Sequence, residues 1–202
     1  AGHEGVVCIN LSGALSATVQ AARLAAEEVA ATIPVSVVDS RNVSIAIGLM
    51  VADGARLAQA GKSREDIALA AEDEASRTRL FATFDTLDNL KKGGRIGGAG
   101  AFIGTMLSIK PVIELRDGAV EAESRQRTRS KSLRYLVDKV KAQGQVENLA
   151  VIQAECPDLE EFLDQLGELY PRDEIVVADV GAVIGTHAGQ GAMGVSFQVP
   201  AS

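Results

Sequence analysis

Four glycines crowd around one arginine in the stretch Lys91-Lys92-Gly93-Gly94-Arg95-Ile96-Gly97-Gly98. A glycine inside a helix costs about 1 kcal/mol relative to alanine. A cluster between two helical patterns therefore marks backbone that bends sharply or comes very close to another group. The arginine at its centre is a permanent cation with a fork of donors. A second glycine-rich run, Gly181 to Gly191, carries Thr186 and His187, one of two histidines in the chain. An imidazole there can hydrogen-bond an anion or exchange a proton with one; it can equally be a satisfied structural residue. Short hydroxyl side chains gather at a third place, Ser12, Ser16 and Thr18. They follow an apolar strand pattern, and in parallel α/β sheets ligands lie beyond the carboxyl ends of the strands. Hydroxyls and helix-start amides suit a carboxylate or a phosphate, although Ser12 would also serve as a plain helix cap. Together the two glycine-rich runs point to an anion site in apolar surroundings, while Ser12, Ser16 and Thr18 are equally read as only capping and packing locally. The competing reading of the glycine cluster is a tight helix corner with Arg95 in water.

Two further patterns bear on the chemistry. Gly189-Gln190-Gly191-Ala192-Met193-Gly194 satisfies G-x-G-x-x-G. The dinucleotide fingerprint needs a strand before it and a helix after it. Here a strand follows, and only eight residues remain beyond Gly194. The segment from Ala99 to Leu107 mixes small residues with Phe102, Ile103 and Met106. Such a mixture leaves room for a hydrocarbon chain, and close helix packing produces the same pattern.

The elements that must position these residues follow from hydrophobic periodicity. Gly5 to Leu11 reads as a buried strand, and an alanine-rich helix runs from about Ala14 to Ala31. Val35 to Val38 is a second strand. Helices follow from about Ser44 to Ala60 and from Ser63 to Arg77, the second with Ser63 as its cap. Leu80 to Phe84 is a third strand, and this order predicts a parallel sheet with helices on its faces. Short helices are expected on either side of the glycine cluster. Pro111 to Leu115 and Ala119 to Glu123 form a hairpin across an Asp117-Gly118 turn. A helix from Ser130 to Lys141, a strand from Leu149 to Gln153, a helix capped by Asp158 and stopped by Pro171, and a strand from Glu174 to Ala178 come next. A short helix at the second glycine run then leads into a last strand, Gly194 to Val199. The expected architecture is α/β: a parallel-sheet α/β unit followed by a mixed-sheet α/β unit, with domains at 1–109 and 110–202.

Composition narrows the function classes. Hydrophobic residues are 47% of the 202, enough to bury a core, while aromatics are 3% and Trp is absent. Base-stacking platforms and carbohydrate shelves are therefore disfavoured. A net charge of −7 repels phosphate backbones, which excludes nucleic acid as the expected partner. One basic group, Arg125, Arg127, Arg129, Lys131 and Arg134, reads as a solvated strand end and helix start. Cys8 and Cys156 read as buried free thiols, and with two histidines and no C-x-x-C a metal centre has no support. No apolar run reaches the roughly 20 residues that span a bilayer, which leaves at most a transient contact with a membrane. A secretory signal pattern is absent from the start of the chain, so a cytoplasmic protein is expected.

The combination of motifs resembles the DegV family. Leu15-Ser16-Ala17-Thr18-Val19-Gln20-Ala21-Ala22 is similar to its L-S-G-T-x-Q-S-A segment, and Val37-Val38-Asp39-Ser40-Arg41 to its V-I-D-S-R. Phe84 to Ile96 resembles the D-T-L-x-x-L-x-K-G-G-R-I core. Ile109-Lys110-Pro111, Gly185 to Gly189 and Gly191 to Gly194 follow in matching order. Departures are Ala17, where the family has glycine, and Gly13, where it has serine. The D-S-T and T-S-Q-P-S motifs of the family's upstream segment do not occur, so the first domain is expected to be incomplete at its N-terminal side.

The resemblance implies a two-domain protein that binds one long-chain fatty acid in a hydrophobic tunnel. It implies a role as carrier subunit of a bacterial fatty acid kinase, whose separate ATP-binding subunit phosphorylates the carboxylate to an acyl phosphate for phospholipid synthesis. Catalysis would then lie with the kinase partner, with no cofactor on this chain beyond the lipid ligand. Carried over by motif, Ser16 and His187 would bind the carboxylate, and Arg95 would serve kinase engagement and phosphoryl transfer. Thr18, Gly93, Gly94 and Thr186 would lie at the edge of the head-group site, and Phe102, Ile103 and Met106 along the acyl tunnel. Other readings of the same residues are a stand-alone acyl hydrolase or phosphotransferase using His187 and Arg95, and a regulatory binding domain without ligand.

Overall fold

The computed structural model describes residues 4–102 and 109–201. The chain divides into two compact units, Ala1–Thr78 and Arg79–Ser202. Within the first, β1 (Val6–Asn10), α1 (Thr18–Val29), β2 (Val35–Asp39), α2 (Ile45–Gln59) and α3 (Arg64–Arg77) follow one another. β1 and β2 pair in parallel, with Val6 opposite Val35 and Asn10 opposite Asp39. Parallel neighbours cannot be joined by a tight turn, and α1 provides the crossover. Valine and isoleucine dominate both strands because branched side chains pack well on a pleated surface. Helices α1 and α3 pack on the strands, and α2 packs on α3. Gly54 permits that last approach, since a Cβ there would lie 3.3 Å from Ile67 Cγ2. Ser63 caps α3 as expected, its Oγ accepting from the Asp66 amide at 3.0 Å.

The second unit contains β3 (Thr78–Thr83), α4 (Asp88–Lys92), a 3₁₀ turn (Gly97–Phe102), β4 (Lys110–Arg116), β5 (Ala119–Gln126), α5 (Arg129–Gln143), β6 (Glu147–Gln153), α6 (Leu159–Gly167), β7 (Val176–Asp179), α7 (Ala182–Ala188) and β8 (Met193–Gln198). Among the described residues its strands form one six-stranded sheet in the order β5-β4-β3-β8-β6-β7. The β4–β5 hairpin turns at Asp117 and Gly118, both at positive φ (+50° and +82°). That is the geometry an Asp-Gly two-residue turn favours. β6 pairs in parallel with β7 and antiparallel with β8, so the sheet is mixed.

One side of this sheet and the helices α5 and α6 enclose the main core. Phe81, Leu136, Leu149, Phe162, Leu166 and Phe197 are among its buried members. Phe81 of β3 and Phe197 of β8 stack with ring centroids 6.2 Å apart.

Three expectations need correction. The third strand does not extend the parallel sheet of β1 and β2. It pairs antiparallel with β4, Phe81 opposite Glu114, and is buried along nearly its whole length. A strand pattern reports burial, not which neighbour provides it. In consequence the compact units divide between Thr78 and Arg79, not near Ile109. The first helix also starts later than Ala14, at Thr18, for reasons given below.

Phe162 is fully buried, so Phe162→Ala is expected to lower unfolding free energy by about 3–5 kcal/mol, read as a shifted urea midpoint. A change below 1 kcal/mol would show that this core is not the stabilising one.

Candidate functional site

The glycine-arginine stretch forms the exit of α4. Arg95 N donates to Leu90 O at 2.9 Å and Gly94 N to Lys91 O at 3.0 Å, and Gly94 has φ of +70°. These are the paired bonds and left-handed residue of a Schellman cap, and they require a glycine at position 94. Lys91 and Lys92 occupy the last turn, where positive charge complements the helix dipole. Arg95 is exposed, and its Nη1 donates to Gly93 O at 2.8 Å.

Gly93 serves a different purpose. A Cβ there would lie 2.2 Å from His187 Nδ1 and 2.5 Å from Cε1. The imidazole thus rests on bare backbone. On the next helix the situation is mirrored: a Cβ on Gly189, which has φ of +76°, would lie 2.5 Å from Asn89 Nδ2. Helices α4 and α7 pack through these two glycines, each facing a polar side chain of the other helix. His187 Nδ1 is buried and has no hydrogen-bond partner among the described residues. A buried polar atom without a partner costs about 1–3 kcal/mol, so this nitrogen is suited to a group supplied from outside. Thr186 is exposed, and its Oγ1 donates to Val183 O at 2.8 Å. Its hydroxyl is therefore spent on its own helix.

Gly97 and Gly98 complete the cluster by lying on β5. A Cβ on Gly97 would come within 2.3 Å of Val120 O, and one on Gly98 would overlap the Glu121 carboxylate. Phe102 is buried, with the Arg125 guanidinium 4.9 Å above its ring. The other two residues assigned to the acyl tunnel, Ile103 and Met106, lie outside the described residues.

The hydroxyl group of residues belongs to the first unit. Half-buried Ser16 lies beside Thr18, Oγ to Oγ1 2.8 Å, and its Oγ also accepts from the Thr18 amide at 3.3 Å. Ser12 does not cap α1. Its Oγ accepts from the Ala14 amide at 3.2 Å, and Ala17 holds the cap position without a side-chain bond. Asp39 explains the late helix start. Its carboxylate accepts from the Gly13 amide at 3.2 Å and from the Arg41 amide at 2.9 Å. Residues 13–16 are thereby held in a turn, against the helix propensity of Ala14 and Leu15. Sequence reasoning placed Asp39 in the V-I-D-S-R resemblance without a role; the acid that closes β2 was the available signal. In sum, His187 meets Gly93 and Arg95 is tied to Gly93 within one unit, while Ser16 pairs with Thr18 within the other.

The basic group at the start of α5 departs from expectation at Arg129. Its side chain is 22% exposed and binds Asp158 through Nε at 2.8 Å and Nη2 at 3.0 Å. Nη1 donates to Gly191 O at 2.6 Å, and Nη2 also reaches Cys156 Sγ at 3.4 Å. Asp158 precedes α6 as expected, yet its carboxylate makes no cap bond because Arg129 occupies it. Arg129, through its hydrogen bonds and charge, holds the Asp158 carboxyl below its ordinary range. Cys156 is buried and free as expected, while Cys8 is only half-buried. Among the described residues no group of three or more His, Cys, Asp or Glu could hold a metal ion, and no helix is long and apolar enough to cross a membrane.

A two-stranded parallel unit and a six-stranded mixed unit make this an α/β protein. The family model described as "Uncharacterised protein, DegV family" matches residues 1–199. A DegV domain-containing protein of Streptomyces coelicolor is 38% identical over 198 residues, which is 96% of this chain and 70% of that protein. The chain belongs to the DegV family. Among solved structures it is similar to a fatty-acid-binding DegV family protein from Thermus thermophilus, with TM-score 0.89 and 32% identity, covering 98% of this chain and 72% of that one. The Streptococcus pneumoniae fatty acid kinase B3 protein loaded with linoleic acid shares the fold, with TM-score 0.87 and 21% identity over 98% of this chain and 73% of that one.

Two outcomes are expected from this geometry. Gly93→Ala should displace the His187 ring and destabilise the fold by about 1–3 kcal/mol, seen in the melting temperature and in a crystal structure of the variant. An unmoved ring would contradict the close approach. The Arg129–Asp158 pair should contribute fully above about pH 4, the range of an unfolded aspartate, and fade as pH falls through the depressed carboxyl value. Asp158→Asn should accordingly flatten the acid limb of a stability–pH curve, whereas an unchanged limb would show that the pair contributes nothing.

Proposed function

We propose that this chain binds one long-chain fatty acid and presents its carboxylate for phosphorylation by a separate ATP-binding kinase subunit. The observation that carries the reading is His187 Nδ1, buried against Gly93 without a partner among the described residues. Membership of the DegV family and the fatty-acid-binding relative from Thermus thermophilus support the ligand class. The energetics fit a lipid. Each buried CH₂ of a tail contributes about 0.8 kcal/mol, so the tail provides affinity without polar contacts. The head group needs partners, because a carboxylate taken from water unpaired costs several kcal/mol. An imidazole and the Ser16 hydroxyl have the right donors for it. Thr18, Gly93, Gly94 and Thr186 would border the head group, and Phe102, Ile103 and Met106 the tail.

Arg95 is assigned to the partner's chemistry. It is exposed and held at its base by Gly93 O, and a guanidinium can stabilise charge developing on a transferred phosphoryl group. In this reading the chain is a lipid-binding subunit and not itself a catalyst. Its place is the bacterial cytoplasm, its ligand is the fatty acid alone, and its product feeds phospholipid synthesis.

Lipid extracted from purified protein should contain about one fatty acid per chain by mass spectrometry. His187→Ala and Ser16→Ala should each weaken fatty acid binding about tenfold, the loss of one charge-assisted hydrogen bond. Arg95→Ala should keep its lipid yet fail to yield acyl phosphate with the kinase subunit. Full phosphorylation of that variant would remove Arg95 from the mechanism. Turnover of esters or acyl phosphates by the chain alone would replace the carrier reading with a hydrolytic one.

A further inference from the structure

The segment that follows His187 is fixed to the rest of its unit at several points. Gly189 ends α7 against Asn89, where no Cβ fits. Gln190 Nε2 donates to Glu155 Oε2 at 3.0 Å. The Gly191 amide donates to Ala154 O at 2.7 Å, and the Ala154 amide to Ala192 O at 2.9 Å. Gly191 has φ of +78°, and a Cβ there would lie 2.9 Å from Asp85 Oδ2. Its carbonyl then receives Nη1 of Arg129 at 2.6 Å. Of these bonds the one from Arg129 has a cationic donor, and it comes from a guanidinium that is itself clamped by both oxygens of Asp158.

We infer that Arg129 is a positioning residue for His187. It joins the starts of α5 and α6 to the backbone immediately downstream of α7, and so fixes how far the imidazole advances onto Gly93. Very little error is tolerated there, since the ring occupies the space of a methyl group on that glycine. Lysine cannot replace it. A lysine is a point donor on a flexible stem, while Arg129 meets two carboxylate oxygens, a carbonyl and a sulfur at once. The functional consequence rests on the reading of His187 as a carboxylate ligand; the positional claim does not.

The test reads the ring directly. The chain has two histidines, His3 and His187, so the imidazole resonances of His187 are readily assigned by comparison with His187→Ala. In Arg129→Lys the His187 carbon-bound proton and ring nitrogen signals are expected to shift or broaden while amides of residues 4–78 keep their positions. Binding of palmitate should weaken about tenfold, the value of one charge-assisted contact, while binding of hexadecanol, which carries no carboxylate, stays within experimental error. His187 signals that superimpose on those of the unaltered protein would overturn the proposal, as would an equal loss for both lipids. If Arg129→Lys does not fold, Asp158→Asn replaces it: releasing the clamp should move the same His187 signals, and an unchanged spectrum overturns the claim. Failure of the unaltered protein to bind palmitate would count against the fatty acid reading alone, since the ring signals still decide the role of Arg129.

Discussion

An imidazole lying on naked backbone is the constraint from which the rest of this unit's geometry follows. His187 can occupy its place only because residue 93 has no side chain. Gly93 caps the end of α4, and Gly94 in the left-handed region turns the chain away behind it. The same contact takes the imidazole Nδ1 out of water without giving it a partner among the described residues. Protein interiors rarely tolerate that without a reason, and under the proposed function an anionic head group would supply one. Burial of a ring nitrogen also raises the worth of any bond it later makes, because the local dielectric is low.

The larger architecture supports this contact from behind. β6 and β8 lie next to each other in the sheet, and the loop between α7 and β8 is stitched to the end of β6 through Ala154. Arg129 and Asp158 add a charge-assisted clamp from the starts of two helices whose other faces carry core residues such as Leu136 and Phe162. The site is therefore borne by packed elements even though His187 itself is on a short helix. In the first unit a comparable economy holds the hydroxyl turn: one carboxylate, Asp39, takes up the amides that flank it.

Local patterns in the sequence revealed most of the elements. Branched apolar runs marked the strands, Asp117-Gly118 marked the hairpin, and Ser63 marked a helix start, because each of these signals acts over a few residues. What escaped was long-range. The partner of β3 is chosen by burial on both of its edges, which no period records. The alanines of residues 14–17 favour helix locally, yet Asp39, distant in sequence, holds the turn before them. Arg129 looked like one of several solvated basic residues until Asp158 and Gly191 were found around it. For the site itself, motif resemblance named His187, Gly93 and Arg95. The reason Gly93 must be glycine is a steric fact about His187 that only three dimensions show. Thr186, named as a neighbour of the head group, spends its hydroxyl on Val183.

The account rests most heavily on a carboxylate meeting the His187 imidazole. Titration of palmitate labelled with ¹³C at its carboxyl carbon tests it directly. The prediction is one bound carboxyl resonance, displaced from that of free lipid, whose position changes in His187→Ala while tail resonances of the bound lipid do not. A carboxyl signal that is the same with and without the imidazole, or no bound signal at all, would contradict it.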